Sequence, residues 1–172
     1  MKESVLVAGK GGQGIVLAGS ILSYAADHDK LFTTAMATYG VEMRGGTTTC
    51  SVIISDNEVS SPVITEADTA ILMSPAAFDK HESSVKDDGT IFLNCSDCKA
   101  VPSRKSIKII EVEATKIAEE LGDIRAANMV MLGAYLKHKK ILKLDTAINA
   151  IEMALPNKKN EINIKAMKKG AE

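Results

Sequence analysis

Lys10 and Arg44 are the side chains of this sequence best placed to bind an anion, because each lies inside a cluster of glycines. Lys10 is part of residues 9–14 (GKGGQG), and Arg44 is part of residues 39–46 (YGVEMRGG). Glycine permits positive φ angles and lets the backbone approach an anion closely. An ammonium adds a full positive charge, and a guanidinium can fork onto a phosphate or a carboxylate. The two clusters therefore predict the binding of a phosphate-bearing group.

The candidate binding residues all come from these two clusters. They are Gly9, Lys10, Gly11, Gly12, Gln13, Gly14, Tyr39, Gly40, Glu42, Arg44, Gly45 and Gly46. The alternative for the first cluster is a turn that only allows a helix to pack closely on a sheet. The alternative for the second is a local ion pair between Glu42 and Arg44 that stiffens a loop. No catalytic residue is predicted on this chain.

The first cluster has the G-x-G-x-x-G pattern of dinucleotide-binding loops, but the rest of that signature is missing. An NAD-binding unit needs an acidic residue at the end of its second strand. We predict that strand at residues 31–36, and Asp27 and Asp29 precede it. The P-loop pattern G-x-x-x-x-G-K-[ST] is not met either. A stand-alone NAD(P)- or FAD-binding protein is therefore an alternative that the sequence disfavours.

The elements around both clusters predict that the clusters lie at one edge of a sheet. Residues 4–8 (SVLVA) form an apolar run typical of a buried parallel strand, and residues 15–26 carry apolar side chains at helical spacing. The second cluster lies between the strand at 31–36 and a Thr/Val/Ile-rich strand at 47–55. Ligands of open α/β sheets bind beyond the carboxyl ends of the strands.

The remaining pattern predicts one α/β domain over residues 1–172, with a largely parallel sheet. Its first half is Rossmann-like and its last third is helical, ending in a basic helix or tail at 158–172. Further strands are predicted at 69–73, 90–94 and 107–112, with a turn at 87–89, and helices at 75–83, 114–121, 124–140, 145–155 and 159–169. Strands that alternate with helices favour this architecture.

Composition argues against nucleic-acid and membrane roles. Aromatic residues make up 3% of the chain and Trp is absent, whereas single-stranded nucleic acids are usually bound by stacking on aromatic side chains. No apolar run approaches the roughly 20 residues of a membrane span, and no secretory signal is visible. We expect a cytoplasmic protein that binds neither nucleic acid nor membrane.

The cysteines favour a reducing compartment and no metal site on this chain. Cys95 and Cys98 have C-x-x-C spacing, which could form a redox pair or half of a metal site, and Cys50 stands alone. A metal or cluster site usually needs four ligands. Ordinary loop thiols are therefore the favoured interpretation.

Other polar residues are predicted to have structural or surface roles. Asn128 lies in an apolar helix, where we expect a hydrogen bond from the helix to a loop in preference to a ligand contact. His28, His81 and His138 are predicted to be surface residues. Residues 124–172 hold 10 Lys/Arg against 4 Asp/Glu. A solvated surface is favoured there over docking to an acidic partner or binding an anionic ligand.

Several motifs together resemble a known family. They are GKGGQG, TYGVEMRGGTTTC, ISDNEVSSP at 54–62, Ala67-Asp68 and ANMVMLGA at 127–134. Their order and spacing, from about residue 3 to residue 155, are similar to the gamma subunit of 2-oxoacid:acceptor (ferredoxin or flavodoxin) oxidoreductases. The EMRGG form looks more like the 2-oxoglutarate and branched-chain 2-oxoacid enzymes than the pyruvate enzyme.

The resemblance implies a non-redox subunit that is active only within a complex. Such enzymes oxidatively decarboxylate a 2-oxoacid on thiamine diphosphate with Mg²⁺, pass electrons through iron–sulfur clusters to ferredoxin or flavodoxin, and transfer the acyl group to coenzyme A. It places the thiamine diphosphate, Mg²⁺ and clusters on alpha, beta and delta subunits. On this chain, Lys10 and Arg44 would hold coenzyme A phosphates, and Tyr39 and Gln13 would contact a partner subunit or the surroundings of the thiamine cofactor. A branched-chain gamma subunit and a purely structural subunit are the alternatives.

Overall fold

The computed structural model describes residues 1–40, 46–96, 103–104 and 106–172. The described chain forms the α/β fold that the sequence predicts. The strands are β1 (Lys2–Lys10), β2 (Phe32–Tyr39), β3 (Thr47–Ser55), β4 (Ala67–Leu72), β5 (Val85–Asn94) and β6 (Lys108–Val112). The helices are α1 (Ile15–His28), α2 (Pro75–His81), α3 (Ala114–Glu120), α4 (Ala127–Lys139), α5 (Leu144–Ala154) and α6 (Glu161–Gly170). Short 3₁₀ turns cover Glu82–Ser84 and Ile124–Ala126.

The sheet has the order β2-β3-β1-β4-β5-β6 and is mostly parallel. Strands β1, β4, β5 and β6 pair in parallel. Strand β3 runs antiparallel to both of its neighbours, β1 and β2. Only residues 40–46 join β2 to β3, and a parallel crossover needs about a dozen residues or more. The short connection therefore makes this pair antiparallel.

Alternate residues of β1 face two separate apolar layers. Val5 and Val7 belong to the layer that α1, α4 and α5 cover, whereas Leu6 belongs to the layer that contains Phe78 of α2. Helix α4 is buried on all sides from Ala127 to Leu136, because the sheet, α3 and α6 surround it. A helix enclosed in this way holds the residues at its start in fixed positions relative to the ends of the strands.

Helices α4 and α6 are in backbone contact. A Cβ atom on Gly133 would lie 2.0 Å from the Met167 carbonyl oxygen, and one on Gly170 would lie 2.0 Å from the Val130 carbonyl oxygen. Neither position has room for a side chain, so both glycines allow the helices to approach closely. Part of the predicted basic segment at 158–172 is therefore a docked helix, with Ala166 and Met167 buried.

Several predicted boundaries differ from the structure by a few residues; strand β2, for example, ends at Tyr39 and not at residue 36. The predicted turn at 87–89 lies inside β5, because Val85 already pairs with Ala67 and the strand resumes its register at Thr90 opposite Thr69. Asp88 has a φ of 63° there, so the turn is a local irregularity within the strand. The last helix begins at Glu161 and not at residue 159. Within the described ranges, no helix combines the length and apolar character that a bilayer crossing requires.

Candidate functional site

The glycine loop at residues 9–14 begins within the last two residues of β1 and leads directly into α1. The strand was predicted to end at residue 8, whereas Gly9 and Lys10 still pair with β3. Gly12 has a φ of 87°, and Gly14, the N-cap of α1, has a φ of 69°. Both values lie in the left-handed region that favours glycine. No side chain caps the start of α1. The amino end of this helix therefore offers backbone N–H groups and a partial positive charge to an anion.

The four glycines of this loop fall into two pairs. A Cβ on Gly9 would lie 2.6–2.8 Å from atoms of Gln13, Ile15 and Met73, and a Cβ on Gly14 would lie 2.3 Å from Asn128 Nδ2. At Gly11 and Gly12, no heavy atom lies within 4 Å of the Cβ position. Packing therefore explains Gly9 and Gly14, whereas Gly11 and Gly12 leave bare backbone facing open space.

Gln13 braces the glycine loop from inside. Its Oε1 accepts a hydrogen bond from the Lys10 N–H at 2.7 Å, and its Nε2 donates to the Met73 carbonyl oxygen at 3.1 Å. The Gln13 N–H also donates to the Lys10 carbonyl oxygen at 3.2 Å. Both ends of the amide are used to hold the loop against the end of β4. Gln13 is therefore a positioning residue of the loop.

Asn128 ties α4 to the same loop, as the sequence predicts. Its side chain is buried, its Nδ2 donates to the Gly14 carbonyl oxygen at 3.1 Å, and its Oδ1 accepts from the Met129 N–H at 2.9 Å. Both polar atoms of this buried side chain have partners, as buried amides usually do. The contact fixes the start of α1 relative to the start of α4.

The described residues of the second glycine cluster, Tyr39, Gly40 and Gly46, lie beside the first cluster at the same sheet edge. Strand β3 connects them, because Thr47 pairs with Lys10 and Thr48 pairs with Tyr39. Tyr39 is 68% exposed and lines, with Lys10, a cleft of about 430 Å³ against the start of α1. The Gly40 N–H donates to the Thr47 carbonyl oxygen at 3.1 Å, and Gly46 directly precedes β3. Glu42, Arg44 and Gly45 lie outside the described residues, so their roles stay predictions.

Two further clefts meet at the glycine loop. One, of about 330 Å³, lies between the ends of β1 and β4 and is lined by Gly11, Met73, Thr115 and Arg125; we call it the switch-point crevice. The strand order reverses at this point, because the chain places β3 and β2 on one side of β1 and β4, β5 and β6 on the other. Open α/β sheets bind ligands at such a point. The other cleft, of about 300 Å³, lies towards α5 and α6. Gly12 lines both of these clefts as well as the one beside Tyr39.

Arg125 is a site residue that the sequence reasoning missed. It lines both the switch-point crevice and the cleft towards α6. Its guanidinium donates from Nε to Asp123 Oδ1 at 2.9 Å and from Nη2 to Asp123 Oδ2 at 2.8 Å. These hydrogen bonds hold the pKa of the Asp123 carboxyl below its ordinary value. The sequence signal was weak, since a surface Arg two residues after an Asp is also typical of a solvated turn.

The charge around the loop favours an anion. Among the described residues that line the three clefts, Asp123 is the single carboxylate, and it is bound to Arg125. Lys10, Lys158 and Lys159 line the clefts, and no ion pair joins them to a carboxylate within the described ranges. These three ammonium groups are therefore open to a ligand.

The geometry also disfavours a dinucleotide site of the NAD type. In such sites the strand next to β1 ends with the acidic residue that binds the ribose. Here the neighbour of β1 is the antiparallel strand β3, and Thr47 and Thr48 occupy this edge. Neither side chain carries a negative charge, so the sheet supplies hydroxyl groups where that contact would form.

Where the structure describes them, the histidine and cysteine side chains, which could bind a metal ion, do not come together at the glycine loop. The described residues contain no group of three or more His, Cys, Asp and Glu side chains that could hold a metal ion. Cys50 is buried, and burial raises the pKa of its thiol; Cys98 lies outside the described residues. His28 and His138 are exposed, as predicted, whereas His81 is half-buried. Burial and then the charge of Lys80 lower the pKa of His81.

Comparison with known proteins decides the family. Residues 4–172 match the model of the pyruvate ferredoxin/flavodoxin oxidoreductase family. The chain belongs to this family. The resemblance is confirmed by this match and by the gamma-subunit relatives below, and the match extends past residue 155, where the resemblance in the sequence ends. The relatives that the chain matches are subunits of 2-oxoacid:ferredoxin oxidoreductases, which work as multi-subunit complexes.

Individual relatives align along nearly the whole chain. The 2-oxoglutarate synthase subunit KorC of Methanothermobacter marburgensis is 32% identical over all of this chain and 96% of that protein. The ketoisovalerate oxidoreductase subunit VorA of Methanothermobacter thermautotrophicus is 32% identical over 98% of this chain but only 35% of the longer relative. The gamma subunit of a keto/oxoacid ferredoxin oxidoreductase from Geobacter sulfurreducens superposes with a TM-score of 0.85, 28% identity and coverage of 98% and 95% of the two chains.

Proposed function

We propose that this chain is the gamma subunit of a 2-oxoglutarate:acceptor oxidoreductase. The complex would convert 2-oxoglutarate and coenzyme A to succinyl-CoA and CO₂, and pass the electrons to ferredoxin or flavodoxin in the cytoplasm. The observation that carries the proposal is the alignment with KorC, which covers both proteins almost from end to end. Alpha, beta and delta subunits would carry the thiamine diphosphate, Mg²⁺ and iron–sulfur clusters.

The role proposed for this chain is to bind coenzyme A. The bare backbone at Gly11 and Gly12, the uncapped start of α1 and the Lys10 ammonium all surround one point at the carboxyl end of β1. Coenzyme A contains a diphosphate, and backbone amides with cations are the groups that bind such anions. Arg44 would add a guanidinium from the neighbouring cluster. The loop backbone, the start of α1 and Lys10 would together hold and orient the diphosphate.

A branched-chain 2-oxoacid is the second candidate substrate. It is favoured by the alignment with VorA, which is 32% identical over 98% of this chain. However, this chain spans only about a third of VorA, whereas it matches KorC almost completely. The 2-oxoglutarate enzyme is therefore the better-supported proposal.

Purification from the native cell tests the complex and its substrate. A tagged copy of the chain is isolated with the subunits bound to it, and coenzyme-A-dependent reduction of a viologen dye is measured with 2-oxoglutarate, 2-oxoisovalerate and pyruvate. We expect 2-oxoglutarate to give the highest kcat/KM. A higher value for 2-oxoisovalerate would move the assignment to the branched-chain enzyme. A chain recovered alone that binds NAD(P) or FAD would contradict the proposal.

Arg44→Ala separates coenzyme A binding from a purely structural role. Loss of one charge-assisted contact to phosphate, worth about 1.5–3 kcal/mol, would raise the KM for coenzyme A at least about tenfold. The decarboxylation half-reaction, followed without coenzyme A, would keep its rate. If the variant instead fails to co-purify with its partner subunits, the second glycine cluster serves assembly.

A further inference from the structure

The cleft between the glycine loop and the turn that joins α5 to α6 has the features of a second anion site. We call it the α6 cleft. Gly12, Gly14 and Leu17 form one wall, and Arg125, Lys158 and Lys159 lie around the other sides. The sequence alone favoured a solvated surface for these two lysines. The structure places them opposite the loop of residues 9–14, about 145 positions away in the chain.

The turn that carries the two lysines is held in place. The Nδ2 of Asn160, a buried side chain, donates to the Leu155 carbonyl oxygen at 3.2 Å. Asn163 Nδ2 donates to Asn160 Oδ1 at 3.4 Å. Helix α6 is in turn fixed to α4 by the backbone contacts at Gly133 and Gly170. Lys158 and Lys159 therefore project from an anchored turn, which lowers the entropy lost when they bind an anion.

The charge of the α6 cleft is unbalanced. The cleft is lined by three cationic side chains and a single carboxylate, that of Asp123, which already accepts three hydrogen bonds from the Arg125 guanidinium. Neither lysine ammonium is paired with a carboxylate in the part of the chain that the structure describes. A phosphate monoester carries up to two negative charges and would neutralise this excess.

The cleft also has an apolar part. Leu17 of α1 and Leu155 at the end of α5 both line it, and both are only partly covered by the rest of the chain. Aliphatic side chains of this kind can cover the face of a flat heterocycle. The cleft therefore combines a surface for a base with a cluster of cations for a phosphate.

We propose that the α6 cleft binds the 3′-phosphoadenosine end of coenzyme A. The 3′-phosphate would lie against Lys158, Lys159 and Arg125, and the adenine against Leu17 and Leu155. Gly12 borders both this cleft and the switch-point crevice, so a diphosphate on the glycine loop leaves the nucleoside within reach of the cleft. The inference rests on the proposed function, because it presumes that this chain binds coenzyme A.

Coenzyme A and dephospho-coenzyme A, which lacks only the 3′-phosphate, provide the test. Their dissociation constants are measured by titration calorimetry with the purified complex, for wild type and for the Lys158→Gln/Lys159→Gln variant. The matched control is Lys165→Gln/Lys168→Gln, which removes the same charge from exposed positions of α6 outside the cleft. We expect wild type and control to bind coenzyme A at least about tenfold more tightly than dephospho-coenzyme A, because charge-assisted contacts are worth about 1.5–3 kcal/mol. The cleft variant, which keeps Arg125, should lose most of this preference.

The outcomes separate the two proposals. If the cleft variant keeps the wild-type preference for coenzyme A, or if wild type has no preference, the α6 cleft does not hold the 3′-phosphate, and the proposed function stands. If wild type binds neither compound, the coenzyme A role itself is wrong. If the variant does not assemble into the complex, a competition experiment with the wild-type complex tests the inference. Adenosine 3′,5′-bisphosphate should displace coenzyme A at least about tenfold better than AMP, and equal displacement would overturn the inference.

Discussion

Substitutions at Gly11 and Gly14 should separate the binding surface of the glycine loop from its internal packing. A methyl group at Gly14 meets Asn128 Nδ2 at 2.3 Å and forces a side chain into left-handed backbone. A methyl group at Gly11 meets no heavy atom within 4 Å, and its φ lies outside the left-handed region. Both variants add a methyl group to the same loop, but we expect Gly14→Ala to lower the Tm and Gly11→Ala to raise the KM for coenzyme A.

The structure gives magnitudes for both variants. Gly14→Ala pays about 1–2 kcal/mol for the left-handed conformation and about 1 kcal/mol for disturbing the hydrogen bond from Asn128. For a chain of this length, about 2–4 °C of Tm is lost per kcal/mol, so we expect a Tm lower by about 5–10 °C. Gly11→Ala should change the free energy of unfolding by less than about 0.5 kcal/mol. It should raise the KM for coenzyme A about tenfold, because an intruding methyl costs about 1–3 kcal/mol.

Thermal unfolding of the purified chain and steady-state kinetics of the assembled complex are the two assays. The result that would refute the reasoning is a Gly11→Ala variant with wild-type KM for coenzyme A. The open backbone at Gly11 would then face a partner or solvent and not the substrate. A Gly14→Ala variant with wild-type Tm would show that the loop can rearrange around Asn128 without loss of stability.

Three further predictions concern the elements that hold the loop. Gln13→Ala removes the brace to the Lys10 N–H and the Met73 carbonyl oxygen; we expect about 1–3 kcal/mol lower stability, measured by urea unfolding. Gln13→Glu keeps the acceptor for the Lys10 N–H but sets a carboxylate oxygen against the Met73 carbonyl oxygen, so it should also be less stable than wild type, and unchanged stability would contradict the brace. Gly133→Ala would place a Cβ 2.0 Å from the Met167 carbonyl oxygen, so we expect about 3 kcal/mol or more to be lost, and a wild-type Tm would contradict the contact between α4 and α6. Burial raises the pKa of Asp68, but hydrogen bonds from Lys86 and Ser4 outweigh it and leave the pKa lowered. The resulting stability is present above about pH 4, the ordinary Asp value, and is lost as pH falls through the lower folded pKa; Tm measured from pH 6 to pH 2 should therefore fall less steeply for Asp68→Asn than for wild type.

The sequence by itself determined the strands, the helices and the first glycine loop. The apolar run before Gly9, the helical spacing after Gly14 and the Thr/Val/Ile-rich strand after Gly46 are local patterns, and each element forms where its pattern lies. The predicted contact of Asn128 with a loop was also correct, because a buried amide must find partners. The sequence could not identify Gly14 as the partner residue, since 114 positions separate the two.

Tertiary structure alone decided what surrounds the glycine loop. Arg125, Lys158 and Lys159 carry no motif, and in the sequence they are ordinary surface charges. They come to Gly12 because α4 is enclosed between the sheet and α6, and because glycines at 133 and 170 let α6 dock on its backbone. The spacing of charged residues along the sequence does not predict this proximity, since the proximity depends on how closely helices that are distant in the chain pack together. The sequence predicts the glycine loop because the backbone conformation of the loop requires particular residues. A cluster of cations such as Arg125, Lys158 and Lys159 requires only that any Lys or Arg side chains come close together in the fold.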